Sequence, residues 1–168
     1  MYAREFIPEE QYGFVSGRST IQAASLLHKE VSQTLEKERA ELYAVFVDFA
    51  KAFDSSNGVM QGDPCSPFLF NIFTHDLPDT IIGKDKRLKV IMYADDLAIV
   101  SEELGAIQEA SQRLETWCGI NMLEVNVNKT KVMRFKKGGP PPKEYITYKG
   151  EKLEYTNSFK YLGITFQQ

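Results

Sequence analysis

Three aspartates occupy positions where carboxylates could act together. Asp48 follows the apolar run VFV, and Asp95 and Asp96 are adjacent between the two apolar runs of LKVIMYADDLAIV (88–100). Clustered carboxylates repel one another unless a cation lies between them, and hard oxygen ligands suit Mg²⁺. Two such ions ~3.5–4 Å apart can activate an attacking hydroxyl and stabilise the leaving oxygen of a phosphoryl transfer. The three acids therefore indicate metal-assisted phosphoryl transfer, provided that the fold brings them together.

Each aspartate also has a purely local interpretation. Asp95 and Asp96 fit an ordinary polar turn, because turns favour aspartate for hydrogen bonding to its own backbone. Asp48 fits a residue that caps the end of a strand. Only a fold that makes the three side chains converge separates the chemical interpretation from the local one.

The spacing of apolar residues predicts the elements that position these acids. A helix is expected over 19–39, capped by Ser19 or Thr20, and a strand over 42–49. Further along the chain we expect a helix entered at Ser66-Pro67, with an apolar face that reaches Leu77. The remaining predictions are a β-hairpin over 88–100, a helix over 102–122 and a strand over 130–135.

After the first helix, these elements follow the order strand, helix, strand, strand, helix, strand. That order predicts an α+β fold of ferredoxin-like (βαββαβ) type, with an antiparallel sheet backed by helices. In such a sheet the first strand and the central hairpin are neighbours. Asp48, Asp95 and Asp96 are therefore expected to converge on one edge of the sheet.

Charge is unevenly distributed along the 168 residues, whose net charge is -3. Residues 127–168 carry nine basic and three acidic side chains, whereas the rest of the chain is acidic. The basic segment fits either a surface that faces a phosphate backbone or a solvated lysine-rich surface. The acidic remainder argues against purely electrostatic nucleic-acid binding unless some of its acids hold metal ions.

Cysteine usage and hydropathy exclude several classes of protein. Cys65 and Cys118 form no CxxC pair and have no histidine at ligand spacing, so we expect reduced thiols and no zinc site. The charged N-terminus is not a signal peptide, and no run approaches the ~20 apolar residues of a membrane span. We therefore expect a soluble intracellular protein without a membrane partner, and both nucleus and cytoplasm remain open.

Five segments stand out along the chain: FVDFAKAFD (46–54), GVMQGDPCSP (58–67), YADD (93–96), NVNKTK (126–131) and YLGITF (161–166). In this order they resemble the successive palm motifs of reverse transcriptases. QYGFVSGRST (11–20) is similar to the segment that precedes these motifs in non-LTR retrotransposons and group II intron enzymes. The C-terminal YKGEKLEYTNSFKYLGITF looks most like the non-LTR branch.

This resemblance implies an RNA-directed DNA polymerase that uses Mg²⁺ or Mn²⁺. Asp48 and Asp95 would be the two metal ligands, with Asp96 beside them as the third acid. The implied partners are an RNA template, a DNA primer and dNTPs.

The resemblance also implies roles for residues outside the carboxylates. Phe53 would pack under the incoming sugar and Lys129 would neutralise or protonate the departing pyrophosphate, although core packing and a surface lysine are the plainer interpretations. The nucleotide- and template-binding group comprises Phe49, Phe53, Gln61, Gly62 and Lys129. The primer-holding hairpin would contain Tyr161, Leu162 and Gly163.

The expected domain organisation departs from the family at one internal position. A palm is expected over 1–135, including a remnant of the fingers at 1–40, then a Gly/Pro linker over 136–143 and a C-terminal β-hairpin over 144–168. Only SSNGVM separates Asp54 from Gln61, where relatives carry several tens of residues that include a palm helix. Since the fingers, that helix and the thumb are incomplete, we expect impaired synthesis. We also expect an uncovered sheet face that is open to a protein partner or to self-association.

Two alternatives to a polymerase follow from the same residues. One is a non-catalytic, domesticated retroelement fragment that binds nucleic acid through residues 127–168 or protein through the uncovered sheet face. The other is a different two-metal enzyme on the same fold, such as a nucleotide cyclase. The QGDPCSP, NVNKTK and YLG segments disfavour a cyclase, which has no use for a template or a primer grip.

Overall fold

The computed structural model describes residues 7–50, 66–139 and 143–168. Its helices are α1 (Thr20–Glu36), α2 (Ser66–Phe73), α3 (Leu77–Ile82) and α4 (Leu104–Ile120). The strands of the main sheet are β1 (Glu41–Val47), β3 (Lys89–Tyr93), β4 (Asp96–Ser101), β6 (Lys131–Lys136) and β9 (Glu154–Tyr155). Three short pairs complete the described part: β2 (Phe49–Ala50) with β5 (Glu124–Val125), β7 (Thr147–Tyr148) with β8 (Glu151–Lys152), and β10 (Ser158–Tyr161) with β11 (Ile164–Gln167).

The main sheet has the strand order β3-β4-β1-β6-β9. Its first three pairings are antiparallel, and β6 pairs with β9 in parallel. The chain is therefore a mixed α/β protein with a mostly antiparallel sheet, as predicted. Strand β1 lies at the centre, with the β3–β4 hairpin on one side and β6 on the other.

Helix α1 begins where the sequence predicts. The Ser19 side chain accepts a hydrogen bond of 3.2 Å from the Gln22 N–H, which satisfies one of the free donors of the first turn. The helix ends at Glu36, earlier than predicted. Arg39 has a φ of 59°, a left-handed conformation that no helix can include.

The predicted helix after Ser66 is two helices in the structure. Helix α2 ends at Phe73, and α3 starts at Leu77 with Pro78 in its first turn. Proline lacks an N–H and its ring collides with the preceding turn, so one continuous helix through this position is disfavoured. The break turns α3 onto the sheet, where it packs beside α4.

Both faces of the main sheet are covered among the described residues, so the predicted uncovered sheet face is wrong. Alternate β1 residues point to opposite faces. Tyr43 and Val45 join a core with α3 and α4, whereas Leu42 and Phe46 join a second core with α1 and the β10–β11 hairpin. Helices α3 and α4 therefore cover one face of the sheet, and α1 and the β10–β11 hairpin cover the other.

Residues 144–168 form more than the single hairpin that the sequence predicts. They contain the β7–β8 and β10–β11 hairpins, and between them β9 extends the main sheet. Ile146, Tyr148 and Leu153 belong to the core shared with α4, so this segment packs as part of the same body. Within the predicted linker, residues 140–142 lie outside the described part of the chain.

Two expectations about composition can be compared with the described residues. In that part of the chain, none of the helices combines the length and the apolar character needed to cross a bilayer. Cys118 is a free thiol and is buried on α4, as expected for a reduced cysteine. Cys65 lies outside the described residues.

A cluster of charged side chains lies at the end of the sheet that is opposite the aspartates. Arg134 on β6 is 7% exposed and donates two hydrogen bonds to the Glu41 carboxylate, at 2.8 and 2.9 Å. Lys136 and the Tyr43 hydroxyl bind the same carboxylate. These contacts, the Arg134 bonds above all, lower the pKa of Glu41 to about 2.

We expect Glu41→Gln to destabilise the protein by about 2 kcal/mol at pH 7, because it removes the charged carboxylate that accepts two hydrogen bonds from the buried Arg134 guanidinium. The pKa of Glu41 lies below its ordinary value of 4.5, so its contribution is complete above that pH and is lost as the pH falls toward 2. Urea unfolding at pH 7, 4 and 2.5 measures both effects. Glu102→Gln breaks the exposed ion pair with Lys37 but keeps an oxygen that can accept the long hydrogen bond from the Thr34 hydroxyl. It serves as control and should change stability little. Equal losses in the two variants would contradict the assignment.

Candidate functional site

Asp48 directly follows the last residue of the central strand β1, and hydrogen bonds to its N–H and its carbonyl hold it in place. Its N–H donates to the Thr130 hydroxyl at 3.2 Å, and its carbonyl accepts a 2.7 Å hydrogen bond from the Asn126 N–H. Thr130 is buried just before β6. The turn that leads into β6 therefore holds the Asp48 peptide in place, and the direction of its carboxyl group is set by the sheet.

Asp95 and Asp96 lie at the tip of the β3–β4 hairpin, as the sequence predicts. Tyr93 pairs with Asp96, so the turn itself consists of Ala94 and Asp95, and Asp96 is the first residue of β4. Ala94 has a φ of 55°, the left-handed conformation that two-residue hairpin turns require and that alanine rarely adopts. The two acids thus come from a turn and a strand.

The strand register places Asp48 opposite Asp96. Val47 pairs with Leu97 as the last pair of the β1–β4 ladder, and Asp48 and Asp96 are the adjoining residues on the two sides. Opposed residues in antiparallel strands have Cβ atoms ~4.5–5.5 Å apart. Both acids line one small cavity of about 50 Å³, together with Phe46, Val47, Leu97, Lys129, Phe159 and Tyr161.

The three carboxylates influence one another electrostatically. The pKa of Asp96 is raised to about 6, first because the surrounding protein removes water from its carboxyl group, and then because Asp95 and Asp48 carry like charge. Asp96 still has an exposed surface, so water reaches part of the group. A cation beside these acids would relieve the repulsion.

The donor set fits a divalent cation only in part. Within residues 7–50, 66–139 and 143–168, no three His, Cys, Asp or Glu side chains form a ready-made metal site. Mg²⁺ is commonly held by one or two carboxylates, with water and substrate phosphates as the remaining ligands. Asp48 and Asp96, which line one cavity, and the adjacent Asp95 match that requirement in ligand type and charge.

Lys129 and Tyr161 reach the same cavity from two other elements. Lys129 lies in the turn before β6, where its N–H donates to the Asn126 carbonyl at 3.1 Å. Tyr161 ends β10, is buried, and donates from its hydroxyl to the Ile91 carbonyl at 3.3 Å. Burial, with a smaller contribution from the Asp96 charge, raises the pKa of Tyr161 well above its usual range. A cation and a neutral phenol thus adjoin the carboxylates.

The β10–β11 hairpin is anchored next to the carboxylates by aromatic packing. The Phe159 ring stacks on Phe46 with centroids 4.3 Å apart, and Tyr161 contacts Phe46 at 5.3 Å. Leu162 and Gly163 form the tip, with φ values of 48° and 85°. The predicted primer-holding residues thus present an irregular tip beside the aspartates.

The described structure does not test the nucleotide- or template-binding roles predicted for four residues. Phe53, Gln61 and Gly62 lie outside the described residues. Phe49 is 7% exposed and packs in the core that includes α4. Its contact with a nucleotide stays a prediction.

Sequence reasoning missed the residues that hold the aspartates in place. Thr130 and Asn126 lie in the NVNKTK segment, which drew attention only through Lys129. Gln11 and Gly13 lie in the QYGF segment and contact the turn between β3 and β4. The available signal was a glutamine followed two residues later by a glycine, before the first helix. The sequence does not reveal that the partner of this glutamine, Ala94, lies 83 residues away.

The basic C-terminal segment is partly neutralised by ion pairs. Lys131 pairs with Glu154, and Arg134 and Lys136 pair with Glu41. These cations are engaged inside the protein, which weakens the case for a broad phosphate-binding surface. Lys129 is the basic residue of this segment that lines the carboxylate cavity.

A larger cavity of about 680 Å³ lies at the opposite end of the sheet. Arg39, Tyr43, Glu102 and Lys143 are among the described residues around it, and the described lining includes none of the predicted site residues. Size alone therefore does not mark the site in this fold, and the small carboxylate cavity is the better candidate.

Comparison with known proteins identifies one family across most of the chain. The sequence model of the family described as reverse transcriptase (RNA-dependent DNA polymerase) matches residues 55–166. The chain is 26% identical, over 223 aligned positions, to the probable RNA-directed DNA polymerase from transposon BS of Drosophila melanogaster. That alignment covers 100% of this chain and 24% of that protein.

Two further relatives have similar descriptions. The probable RNA-directed DNA polymerase from transposon X-element of Drosophila melanogaster is 22% identical over 219 positions, covering 98% of this chain and 24% of that protein. The RNA-directed DNA polymerase from mobile element jockey of Drosophila funebris is 29% identical over 122 positions, covering 64% of this chain and 13% of that protein. The chain thus spans about a quarter of the length of the first two relatives.

We expect Asp96→Asn to stabilise the protein at pH 8, by roughly 1 kcal/mol after allowance for the exposure of the side chain. The folded protein raises the pKa of Asp96 above its ordinary value of 3.8. Stability therefore falls as the pH rises from about 4 to about 6, and the variant should lack this fall. Urea unfolding at pH 4 and pH 8 measures the difference.

Glu38→Gln removes one negative charge at an exposed position and is the matched control for Asp96→Asn. It should change stability little at either pH. A destabilised Asp96→Asn at pH 8, or an effect of the same size at pH 4, would contradict the repulsion among the three acids.

Proposed function

Because the chain belongs to the reverse transcriptase (RNA-dependent DNA polymerase) family, on its non-LTR retrotransposon side, we propose that it forms the palm of an RNA-directed DNA polymerase. The reaction is nucleotidyl transfer from a dNTP to the 3′-hydroxyl of a DNA primer on an RNA template. The observation that carries this proposal is the position of Asp48 opposite Asp96, with Asp95 adjacent and Lys129 on the same cavity.

The strand arrangement supports a ferredoxin-like palm. Counting β1, β3, β4 and β6 as the four strands of a βαββαβ unit, the second and third form the hairpin and the first and fourth lie side by side. The three pairings among them are antiparallel, which is what that topology requires. The end of the first strand and the tip of the hairpin then share one edge of the sheet.

Asp48, Asp95 and Asp96 would hold the divalent ions, Mg²⁺ or Mn²⁺. When bound, such ions neutralise the triphosphate and favour ionisation of the primer hydroxyl. The protein's own contribution is to fix the carboxylates before substrate arrives, through the β1–β4 register and the Thr130 bond to Asp48. Preorganised charge of this kind requires little rearrangement during the reaction.

Lys129 is the residue placed to act on the leaving group. Lys129 borders the carboxylate cavity, so its ammonium would be close to a pyrophosphate that departs from the bound ions. A mobile ammonium suits this task, because it can neutralise the departing charge or donate a proton to it.

The remaining substrate contacts follow from the family resemblance. Tyr161 and the Leu162–Gly163 tip would hold the primer end, since the hairpin stands beside the aspartates. The cavity of about 50 Å³ admits ions and water but not a nucleotide, so the dNTP would lie over its open rim. By the same resemblance, contacts to the nucleotide and the template would come from Phe49, Phe53, Gln61, Gly62 and Lys129.

Synthesis by this chain should be limited in processivity. The alignment to the transposon BS protein spans 223 positions, whereas this chain has 168 residues, so 55 positions of that protein have no counterpart here. We place the main gap between Asp54 and Gln61, where the sequence lacks the expected palm helix. Fewer contacts to the template–primer duplex would mean faster dissociation between additions.

We expect the chain to add nucleotides to a DNA primer on an RNA template with Mg²⁺ or Mn²⁺, in short products. Asp48→Asn and Asp95→Asn should each lower the rate by at least about 100-fold, because each removes a metal-binding charge. Single-turnover primer extension measures the rate, and gel analysis of the products measures processivity. Glu38→Gln is the control that loses one charge far from the site.

The same assay separates the polymerase from a non-catalytic retroelement fragment. A folded chain that extends no primer, yet binds RNA in a salt-dependent way unaffected by Asp95→Asn, would contradict the polymerase. Circular dichroism on every variant shows whether a lost activity reflects lost structure.

A further inference from the structure

A buried glutamine holds the turn that carries two of the aspartates. Gln11 is 1% exposed, and its side-chain oxygen accepts hydrogen bonds from the N–H groups of Ala94 and Gly13, both at 2.8 Å. Its side-chain nitrogen donates to the Ala94 carbonyl over a longer distance of 3.4 Å. One side chain therefore binds both polar groups of the Ala94 residue at the tip of the hairpin.

The backbone around Gln11 extends the sheet beyond β3. The Tyr12 N–H donates to the Met92 carbonyl at 2.7 Å, and the Met92 N–H donates to the Glu10 carbonyl at 2.8 Å. These bonds form a parallel bridge between Gln11 and Met92. The segment 8–18, which we call the N-terminal strap, is thus attached to the free edge of the strand that leads into the turn.

Gly13 brings the strap into direct contact with the turn. A Cβ at this position would lie 2.1 Å from the Ala94 nitrogen and 2.8 Å from the Tyr93 carbonyl carbon. Both are backbone atoms that cannot move aside, so glycine is required for this approach. The strap therefore packs directly against the backbone of the turn.

Two other side chains fix the strap itself. Asn71 on α2 is 1% exposed and donates to the Gly13 carbonyl at 2.8 Å. Arg18 donates to the carbonyls of Pro8, at 2.9 Å, and of Gln11. The strap is therefore fixed by a hydrogen bond from α2 and by hydrogen bonds from its own Arg18. A strap fixed in this way restricts the motion of the hairpin that it contacts.

The turn needs an external partner because of its conformation. Ala94 is 5% exposed with a φ of 55°, so its N–H and carbonyl are shielded from water in a conformation that alanine disfavours. Without Gln11 these groups would lack partners, and the turn would relax toward an ordinary conformation. Asp95 and Asp96 follow directly and would move with it.

We propose that Gln11 is a positioning residue that locks the Ala94 turn and thereby sets Asp95 and Asp96 in register with Asp48. Its part in nucleotidyl transfer rests on the proposed function, but its effect on the turn and on metal binding does not. Gln11 touches neither substrate nor metal, and it acts through the backbone of Ala94.

Two substitutions separate hydrogen bonding from packing. Gln11→Met keeps the volume and the length of the side chain but removes the acceptor. Gln11→Glu keeps the acceptor oxygen, and because burial favours its neutral acid it also keeps a donor for the Ala94 carbonyl. Gln112→Met makes the same chemical change at an exposed position on α4 and is the matched control. Circular dichroism and thermal melting confirm that each variant is folded.

Three readouts are compared across these variants. The first is hydrogen–deuterium exchange of the peptide that contains residues 93–96, the second is the affinity for Mn²⁺ alone by electron paramagnetic resonance, and the third is single-turnover primer extension. In Gln11→Met we expect faster exchange, weaker Mn²⁺ binding and a rate at saturating dNTP that falls on the order of 10- to 100-fold. Affinity for the primer–template should stay unchanged, and Gln11→Glu should restore most of each loss.

Unchanged exchange and unchanged Mn²⁺ affinity in Gln11→Met would overturn the proposal. So would a general loss of stability and of primer–template affinity that Gln11→Glu fails to restore, because that pattern marks a structural residue. If the unmodified chain extends no primer, the polymerase proposal fails, and the exchange and Mn²⁺ measurements alone decide whether Gln11 positions the aspartates.

Discussion

The register of β1 with its two neighbours is the constraint on which the site depends. Pairing of Val47 with Leu97 sets Asp48 opposite Asp96 across the β1–β4 ladder. Pairing of Phe46 with Lys131 on the other side brings the turn with Lys129 to the same end of the strand. A slip of one residue in either ladder would turn every β1 side chain to the opposite face.

Burial on both sides makes such a slip unfavourable. The side chains of β1 alternate between two separate cores, one with α3 and α4 and the other with α1 and the β10–β11 hairpin. Exchanging the faces would place Phe46 in the space of smaller residues and remove its stack with Phe159. Packing thus holds together carboxylates that repel one another, as the raised pKa of Asp96 indicates.

Periodicity and turn chemistry made much of the frame predictable. The Ser19 cap, the central strand, the β3–β4 hairpin and α4 were all visible, because each depends on residues close together in sequence. The break between α2 and α3 near Pro78 also depends on residues close together in sequence. It was missed because the apolar residues continue at helical spacing across the break. The covering of the second sheet face was not predictable, since α1 and the β10–β11 hairpin meet there only in the folded chain.

Within the site, the aspartates could be predicted from the sequence, but the residues that hold them in place could not. Asp48 and the two hairpin acids could be picked out because carboxylates beside apolar runs are conspicuous. Thr130 and Gln11 could not, because each acts through hydrogen bonds to the backbone of a residue more than 80 positions away. Alternation along a strand also decides that Asp96, and not Asp95, faces the cavity shared with Asp48.

These supports share one property that bears on the shortened segment between Asp54 and Gln61. The β1–β4 register, the Thr130 bond to Asp48 and the Gln11 bonds to Ala94 are all made by residues on either side of that segment. The described part of the chain thus supplies these three contacts to the carboxylates. On the proposed function, loss of residues from the segment would affect the binding of nucleotide and template before it disturbed the arrangement of the aspartates. Metal affinity and primer extension would then be separable properties of this chain.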